Sequence, residues 1–269
     1  MFNFRNKIHK SVSDGNVVEV IEVDGVRSLY LGSTTIQSSM RVKSPFALEL
    51  AYSRGMMCFL LFSSSVKNAL SIGLGGGSVQ KYIYANCEEI MQTVVEINPQ
   101  VIATAHRHFY VPEQDARLNI IEADGIAHLD NHPNSADLLM IDAFDGLGIP
   151  AEFCSQAFFD SCEAALMQGG IFAINLWGSD KNFDIYLRRI EQSFENKVLV
   201  LPTGKPGNIV VFGFKDKPDL RIMNLRERAK TLAPIHSTVY NTAHPIDFLS
   251  FVDKLCEHNP HNHKQFLVS

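Results

Sequence analysis

Short apolar runs that end in glycine or an acid recur through the middle of the chain. Two of them are Ala-Leu-Ser-Ile-Gly at 69–73 and Leu-Leu-Met-Ile-Asp at 138–142. A strand inside a parallel sheet is buried on both faces, so its residues are apolar almost without interruption. The pattern predicts strands at about 69–74, 90–96, 118–122, 137–142, 170–176, 197–201 and 208–214.

Stretches with a helical spacing of apolar residues lie between the first six of these strands. They predict helices at about 78–86, 99–109, 125–130, 154–167 and 180–195. The last two strands are joined by 202–207 alone, which is too short for a crossover helix, so they must be antiparallel neighbours. The expected fold class is therefore α/β, with a seven-stranded, mostly parallel sheet that ends in an antiparallel hairpin. By fold analogy, this is the arrangement of Rossmann-like transferases that use S-adenosylmethionine.

The first part of the chain has the alternating pattern of antiparallel strands. Apolar and polar residues alternate over 17–31, on either side of Asp24-Gly25. Asp-Gly between alternating runs is a strong hairpin signal, because both residues accept a positive φ. With a third strand at about 34–38, the sequence predicts a small N-terminal antiparallel β unit ahead of the main sheet.

These patterns predict a division of the chain into three parts. They are an N-terminal β-hairpin unit at 1–43, a Rossmann-like nucleoside-binding catalytic domain at 44–215 and a C-terminal helical extension at 216–269. We expect the catalytic domain to open with a helix over 45–62, with Ser44 as its N-cap and Pro45 at its first helical position. The extension carries two charged helical stretches, at about 219–232 and 245–257.

Composition and charge narrow the classes of function. The chain has 269 residues, of which 46% are hydrophobic and 20% charged, as is usual for a globular protein with a large core. It carries 24 Lys and Arg against 29 Asp and Glu, a formal net charge of −5. This balance, without a basic patch, argues against a nucleic-acid partner and suits a small cationic substrate.

From the sequence we expect neither a signal peptide nor a membrane span. Its start lacks the apolar segment of a signal peptide, and the most apolar run, 55–62, is too short to cross a bilayer. The five scattered cysteines are expected to be reduced thiols of a cytoplasmic protein. His258, His261 and His263 near the end have no carboxylate or cysteine partner in register, so we expect no metal site there.

A glycine-rich loop, Gly73-Leu-Gly-Gly-Gly-Ser78, follows the first parallel strand and opens the next helix. Gly73, Gly75 and Gly77 let the backbone approach a ligand, and the free N–H groups favour a polar or negative group. Ser78 replaces the last glycine of the dinucleotide pattern, which argues against a pyrophosphate site. The same loop could also be a tight turn without a ligand.

Acids end the next two strands. Glu96 lies about 20 residues beyond the glycine loop, where an acid in nucleotide-binding folds accepts hydrogen bonds from ribose hydroxyl groups. The alternative is a solvated strand-end carboxylate. Asp124 precedes Gly125 at the end of the third strand. It can bind a ligand there or cap the following helix, and the two roles are compatible.

Asp142 and Asp145 follow the fourth strand. Two carboxylates so close raise the pKa of one of them, which suits acceptance of a proton from an amine. The alternative is a pair of acids that caps the loop.

At these residues the sequence resembles the spermidine synthase family, the polyamine aminopropyltransferases, from about 17 to 214. Members of that family move the aminopropyl group of decarboxylated S-adenosylmethionine to putrescine by in-line displacement. The resemblance implies a Rossmann-like fold, a nucleoside co-substrate without a metal ion, a small cationic amine acceptor and a homodimer.

The resemblance also assigns roles to residues. Asp142 corresponds to the acid that activates the amine, and Asp145 to the second acid of the Asp-Ser-Ser-Asp-Pro loop of the family. Glu96 corresponds to the ribose-binding acid, and Asp124 to the acid at the adenine. The full set of implied donor-binding residues is Gln37, Gly73, Gly75, Gly77, Ser78, Glu96, Asp124 and Gly125.

The chain departs from the family where the donor tail and the acceptor bind. The Gly-Gly-Gly-Asp-Gly-Gly loop of the family carries an acid that pairs with the donor amine, whereas the loop here ends in Ser78 and has no acid. The diamine-binding Tyr-His-Glu stretch is missing near 46–54, and Asp142-Ala-Phe-Asp145 replaces Asp-Ser-Ser-Asp. These forms resemble a divergent, spermidine synthase-like branch that includes methyltransferases.

Several functions therefore stay open at this point. Aminopropyl transfer to a small polyamine is the expected one. Methyl transfer from ordinary S-adenosylmethionine would use the same scaffold, and a non-catalytic homologue would bind the nucleoside without turnover. An NAD-dependent dehydrogenase fits less well, because it has no use for the acids at Asp124, Asp142 and Asp145.

Overall fold

An antiparallel sheet of four strands opens the described part of the chain. Its strands pair in sequence order and are β1 (Asn6–Ser13), β2 (Asn16–Val23), β3 (Val26–Leu31) and β4 (Ile36–Arg41). The structure is a computed structural model, and it describes residues 6–13, 16–144, 148–204, 207–218, 220–237 and 245–259.

The hairpin predicted at Asp24-Gly25 is confirmed. The φ angles of these residues are 50° and 74°, and a two-residue turn between twisted strands requires both to be positive. The strand predicted at 34–38 is β4, which begins and ends later. β1 was not predicted, because Ile8 and Val12 are the only apolar residues among its eight.

The helix predicted over 45–62 is wrong in its start and its continuity. Ser44 donates its backbone N–H to the Arg41 carbonyl at 2.9 Å and accepts from Ala47, so this stretch is a turn. Helix α1 (Ala51–Met56) begins after Leu50, and a second short helix, α2 (Phe59–Phe62), follows. The serine-proline signal was outweighed by the pairing of Ser44 back to the end of β4.

The second sheet has seven strands, as predicted. They are β5 (Asn68–Ile72), β6 (Met91–Glu96), β7 (Leu118–Glu122), β8 (Ala136–Ile141), β9 (Leu166–Trp177), β10 (Val198–Pro202) and β11 (Asn208–Phe214). Their order is β10-β11-β9-β8-β5-β6-β7. β5 to β9 pair in parallel, and β11 is antiparallel to both β9 and β10. The predicted C-terminal antiparallel hairpin is therefore confirmed.

Five helices connect the strands of this sheet. They are α3 (Ser78–Asn86), α4 (Pro99–Phe109), α5 (Gly125–Asn131), α6 (Gln156–Ala165) and α7 (Phe183–Ser193). α6 is shorter than predicted, because a 3₁₀ turn at Ala151–Cys154 precedes its Ser155 N-cap and because β9 begins already at Leu166, which pairs with Ala136 of β8.

In the described part of the chain after the sheet there are two helices, α8 (Ile222–Ser237) and α9 (Phe248–His258). They correspond to the two predicted charged stretches, although Asp219, His261 and His263 lie outside the described residues. Within the ranges given above, no helix is both long and apolar enough to cross a membrane.

Helices cover both faces of the seven-stranded sheet. On one face, α1, α2, α3, α8 and α9 bury residues such as Leu138 and Phe212, and on the other α5, α6 and α7 bury residues such as Ile141 and Phe172. α4 packs against the four-stranded sheet, where its Phe109 contacts the cluster around Val18. The two sheets thereby meet at the carboxyl ends of β5 and β6.

Candidate active site

A cavity of about 740 Å³ lies at the carboxyl ends of the parallel strands. The ends of β5, β6 and β8 form its floor, and the four-stranded sheet closes it through residues such as Val17 and Leu31. Ligands of open α/β sheets bind in this place. The predicted site residues that line the cavity are Gln37, Gly73, Gly75, Ser78, Glu96, Asp124, Gly125 and Asp142.

Gly77 and Asp145 are the predicted site residues not found on this lining. Asp145 lies outside the described residues, so its role stays a prediction. Gly77 has a φ of 62° and precedes α3, and a Cβ atom there would clash with Val111. Its glycine character is therefore explained by close packing against Val111 and by the backbone turn.

Gly73 begins the glycine loop and brings the ends of β5 and β8 into contact. Its φ is 94°, and a Cβ atom at this position would collide with the backbone carbonyl group of Asp142. Asp142 in turn donates its backbone N–H to the Ile72 carbonyl oxygen at 3.0 Å. The glycine thus permits the close approach that places the Asp142 side chain beside the loop.

Ser78 attaches the glycine loop to the four-stranded sheet. Its hydroxyl oxygen lies 3.1 Å from the Ser38 hydroxyl oxygen and donates to the Ser39 carbonyl oxygen at 3.3 Å. Ser38 also lines the cavity. The two hydroxyl groups therefore form a neutral polar wall where β4 meets the loop.

Glu96 ends β6 and accepts hydrogen bonds from backbone groups around the loop. Its Oε2 accepts from the Leu74 N–H at 3.0 Å, and its Oε1 accepts from the Asn98 N–H at 2.9 Å. Burial raises the pKa of Glu96, and the backbone hydrogen bonds oppose that shift. The residue is a fixed carboxylate on the cavity wall, which excludes the simply solvated alternative.

Asp124 caps α5 and lines the cavity as well. Its Oδ1 accepts from the backbone N–H groups of Ile126 and Ala127, at 2.8 and 2.9 Å. The capping alternative is confirmed, and the exposed carboxylate stays compatible with a ligand role. A Cβ atom at Gly125 would clash with Ile72, so glycine allows α5 to start directly against β5.

Asp142 is a buried carboxyl group that faces the cavity. Its Oδ1 accepts a hydrogen bond from the Asn175 side-chain amide at 3.0 Å. Burial raises the pKa of Asp142 to about 6, although hydrogen bonds from Asn175 and Tyr52 favour the ionised form. A carboxyl group with this pKa is mostly ionised at neutral pH and can accept a proton from an amine.

Tyr52 is a site residue that the sequence did not assign. Its hydroxyl group donates to the Gln37 carbonyl oxygen at 3.2 Å, and the Asp142 carboxyl group is the second partner that shares this hydroxyl group. Burial and the neighbouring charge of Asp142 raise the pKa of Tyr52, so the hydroxyl group stays a neutral donor. The predicted helix over 45–62 already included Tyr52, but the sequence pattern does not show which distant partner its side chain reaches.

Aromatic rings and a buried amide complete the Asp142 side of the cavity. Phe144 lines the cavity and stacks on Trp177, with ring centroids 5.7 Å apart. This contact places Trp177 behind the part of the cavity wall that Phe144 forms. Asn175, only 2% exposed, was overlooked although it is a polar residue inside the apolar run of β9.

Comparison with known proteins identifies the relatives of this chain. A family model described as the spermine/spermidine synthase domain matches residues 49–217. A polyamine aminopropyltransferase of Chromobacterium violaceum is 40% identical over 233 residues, which are 86% of this chain and 89% of that protein.

Two solved structures have the same fold. A probable spermidine synthase from Corynebacterium glutamicum superimposes with a TM-score of 0.69 at 21% identity, over 84% of this chain and 86% of that one. The human methyltransferase-like protein 13, in complex with SAH, gives a TM-score of 0.63 at 22% identity, over 69% and 92%. The fold is thus shared by both kinds of protein and does not by itself separate aminopropyl from methyl transfer.

Proposed function

The chain belongs to the spermine/spermidine synthase family, and we propose that it transfers the aminopropyl group of decarboxylated S-adenosylmethionine to a small polyamine such as putrescine. One observation carries the proposal beyond family membership. Asp142, a carboxyl group with a pKa of about 6, faces a cavity of about 740 Å³ beside the glycine loop. A transferase that acts on an amine needs a proton acceptor of this kind at this place.

The cavity supports a specific placement of the donor. Asp124 and Gly125 would hold the adenine, and Glu96, on the cavity wall, would accept from the ribose hydroxyl groups. The backbone of Gly73 and Gly75, with Gln37 and Ser78, would surround the sulfonium and its tail, and we assign Gly77 to packing alone. The open backbone of the glycine loop and the size of the cavity fit such a nucleoside.

The reaction depends on the positioning of the two substrates more than on activation of the donor. The sulfonium supplies a good leaving group, so the protein must hold the amine nitrogen in line with the carbon that bears it. Asp142 accepts the proton that the amine loses as the C–N bond forms and the C–S bond breaks, with methylthioadenosine as the other product. Tyr52 keeps the Asp142 carboxylate oriented toward the amine. Asp145 would anchor the acceptor cation.

Product analysis of the wild type and of Asp142→Asn tests this function. The wild-type protein, given decarboxylated S-adenosylmethionine and putrescine, should form spermidine and methylthioadenosine in equal amounts, detected by mass spectrometry. Asp142→Asn removes the proton acceptor and should lower kcat by about 100-fold or more. Equal rates for both proteins would refute the role of Asp142, and donor binding without any product would favour a non-catalytic homologue.

Methyl transfer from ordinary S-adenosylmethionine is the second candidate, and one observation favours it. Where the glycine loop meets β4, the cavity wall presents the neutral hydroxyl groups of Ser78 and Ser38, whereas the carboxyl groups on the described lining are Glu96, Asp124 and Asp142. A donor tail placed at this neutral wall would meet no acid that repels the carboxylate of the ordinary donor. Calorimetric titration with both donors separates the candidates, since aminopropyl transfer requires tighter binding of the decarboxylated one.

The proposal also covers the oligomeric state of the protein, its cellular location and its domain bounds. By analogy with the family, we propose a homodimer in the cytoplasm, and we propose the division at 1–43, 44–215 and 216–269. Sedimentation analysis should give twice the mass of one chain. A monomer with full activity would contradict the proposed assembly.

A further inference from the structure

Three polar side chains lie side by side across the carboxyl end of the sheet. Asp142 Oδ1 accepts from Asn175 Nδ2 at 3.0 Å, and Asn175 Oδ1 accepts from Asn208 Nδ2 at 3.0 Å. The pairing of the strands explains this alignment. Ile141, directly before Asp142, pairs with Ile174, directly before Asn175. Asn175 pairs with Val210, two residues beyond Asn208. Side chains so placed share one face of the sheet and reach each other.

The two asparagines are constrained to different degrees. Asn175 is 2% exposed in the middle of the apolar run of β9, where an unpaired amide would be costly. Asn208 begins β11, and its carbonyl oxygen accepts from both the backbone N–H and the hydroxyl group of Thr203, at 3.0 and 2.9 Å. Its backbone is therefore fixed, and its side chain can act as a fixed donor.

The direction of these two hydrogen bonds affects how readily Asp142 ionises. An amide presents either its NH₂ group or its oxygen to a neighbour. Because Asn208 donates to Oδ1 of Asn175, the NH₂ group of Asn175 is turned toward Asp142. An N–H donor stabilises an ionised carboxylate, whereas an amide oxygen in that place would favour the protonated acid.

We propose that Asn175 and Asn208 are positioning residues, which keep the Asp142 carboxyl group ionised and oriented toward the acceptor amine. Asn175 acts on Asp142 directly, and Asn208 acts through Asn175 by fixing the direction of its amide. The catalytic part of this inference rests on the proposed amine transfer. The charge on Asp142 can be measured without any substrate.

Other ionisable groups near Asp142 also affect its ionisation. Tyr52, from α1, hydrogen-bonds Asp142 and has its own pKa raised by burial and by that carboxylate. Glu96 and Asp124 are the other carboxyl groups on the described lining of the cavity. All three stay in place in the variants below, so a change in the titration of Asp142 reports on the asparagines.

The test is a titration of Asp142 in four proteins by carbon NMR, with aspartate labelled at its carboxyl carbon. The signal that disappears in Asp142→Asn identifies the residue. The proteins are the wild type, Asn175→Leu, Asn208→Leu and the double variant. Asn119→Leu, on the exposed side of β7, is the matched control and should titrate like the wild type.

The titration midpoint of Asp142 should rise by about one pH unit in Asn175→Leu. At a given pH below the midpoint, this is a tenfold loss of the ionised form. Asn208→Leu should give a smaller upward move. The double variant should match Asn175→Leu, because Asn208 acts only through Asn175. In the same proteins, kcat/KM near pH 6 should fall about fivefold in Asn175→Leu and recover toward pH 9.

Three results would overturn the inference. They are an unchanged midpoint in Asn175→Leu, additive moves in the double variant, or a loss of activity that is equal at every pH. If Asn175→Leu does not fold, an unchanged midpoint in Asn208→Leu alone overturns it. A wild type that forms no spermidine would refute the proposed function, while the NMR titration would still decide the role of the asparagines.

Discussion

Asp142 is the residue on which the proposed chemistry of this site depends. It is buried and still faces a cavity, and it is held by Asn175 on one side and by Tyr52 on the other. Burial destabilises the charged form of Asp142, and the hydrogen bonds from Asn175 and Tyr52 offset only part of that destabilisation. The raised pKa of this carboxyl group should therefore also affect the stability of the protein.

The pH dependence of unfolding should reveal this cost. The ordinary pKa of an aspartate is 3.8, and that of Asp142 in the folded chain is raised to about 6. Between these values the folded state binds the proton more tightly, so the contribution of Asp142 to stability is full below pH 4 and is lost as the pH rises to 6. The resulting decrease in the free energy of unfolding is about 3 kcal/mol at most.

Urea unfolding of the wild type and of Asp142→Asn at pH 4 and pH 7 measures it. The variant cannot titrate at this position, so the wild type should lose stability relative to it as the pH rises. Parallel behaviour of the two proteins over this range would show that Asp142 has an ordinary pKa.

Parts of the site could be predicted from single residues, and other parts could not. Glu96, Asp124 and Asp142, which line the cavity, were predicted because each is an acid at the end of a predicted strand of the parallel sheet. Tyr52 and Asn175 were not found, because their partners lie 90 and 33 positions away in the chain, as their contacts with Asp142 reveal. Contacts over such distances depend on the register of the sheet, which the sequence pattern does not give.

At the scale of elements, the junction of β5 and β8 depends on Gly73. Its φ of 94° and its contact with the Asp142 carbonyl group exclude any larger residue. Gly25 offers a matched comparison, since its φ is 74° but a Cβ atom there would meet nothing within 4 Å. The two positions separate the cost of backbone strain from the cost of a backbone collision.

Gly73→Ala should destabilise the protein much more than Gly25→Ala. Strain alone costs about 1 kcal/mol or somewhat more for a non-glycine residue at positive φ, and Gly73→Ala must also displace the end of β8. Thermal unfolding of both variants checks the order, and methylthioadenosine binding should weaken only in Gly73→Ala. Equal melting temperatures would mean that β5 and β8 do not meet as closely as described.

The elements of the main sheet were predictable because each strand is a buried apolar run with a sharp end. Errors arose where local signals and long-range pairing disagreed. Ser44-Pro45 has the composition of a helix start, but Ser44 pairs with Arg41 at the end of β4. β1 carries too few apolar residues for its sequence to reveal it, and it forms because β2 offers a free edge.

At the scale of the whole molecule, the cavity belongs to both sheets. The seven-stranded sheet contributes the acids and the glycine loop, and the four-stranded sheet closes the cavity with residues such as Leu31 and Gln37. The sequence predicted each sheet separately but not their contact, since that contact depends on α4 packing against β2. Substrate binding should therefore be sensitive to changes in the four-stranded sheet.

Leu31→Trp tests this dependence, because Leu31 lines the cavity from the four-stranded sheet and a larger side chain there fills part of it. Methylthioadenosine binding, measured by calorimetry, should weaken about tenfold, which corresponds to about 1.4 kcal/mol. Leu249→Trp, on the exposed side of α9, is the control and should leave binding unchanged. Unchanged binding in a folded Leu31→Trp protein would show that the ligand does not reach this wall.

The central claim is that a sulfonium nucleoside lies across the strand ends of the main sheet, and a crystal structure with methylthioadenosine tests it most directly. We expect adenine at Asp124-Gly125, ribose hydroxyl groups bound to Glu96, and the sulfur atom on the side of Asp142. A cavity that stays empty at saturating ligand, or a nucleoside bound elsewhere on the chain, would contradict it.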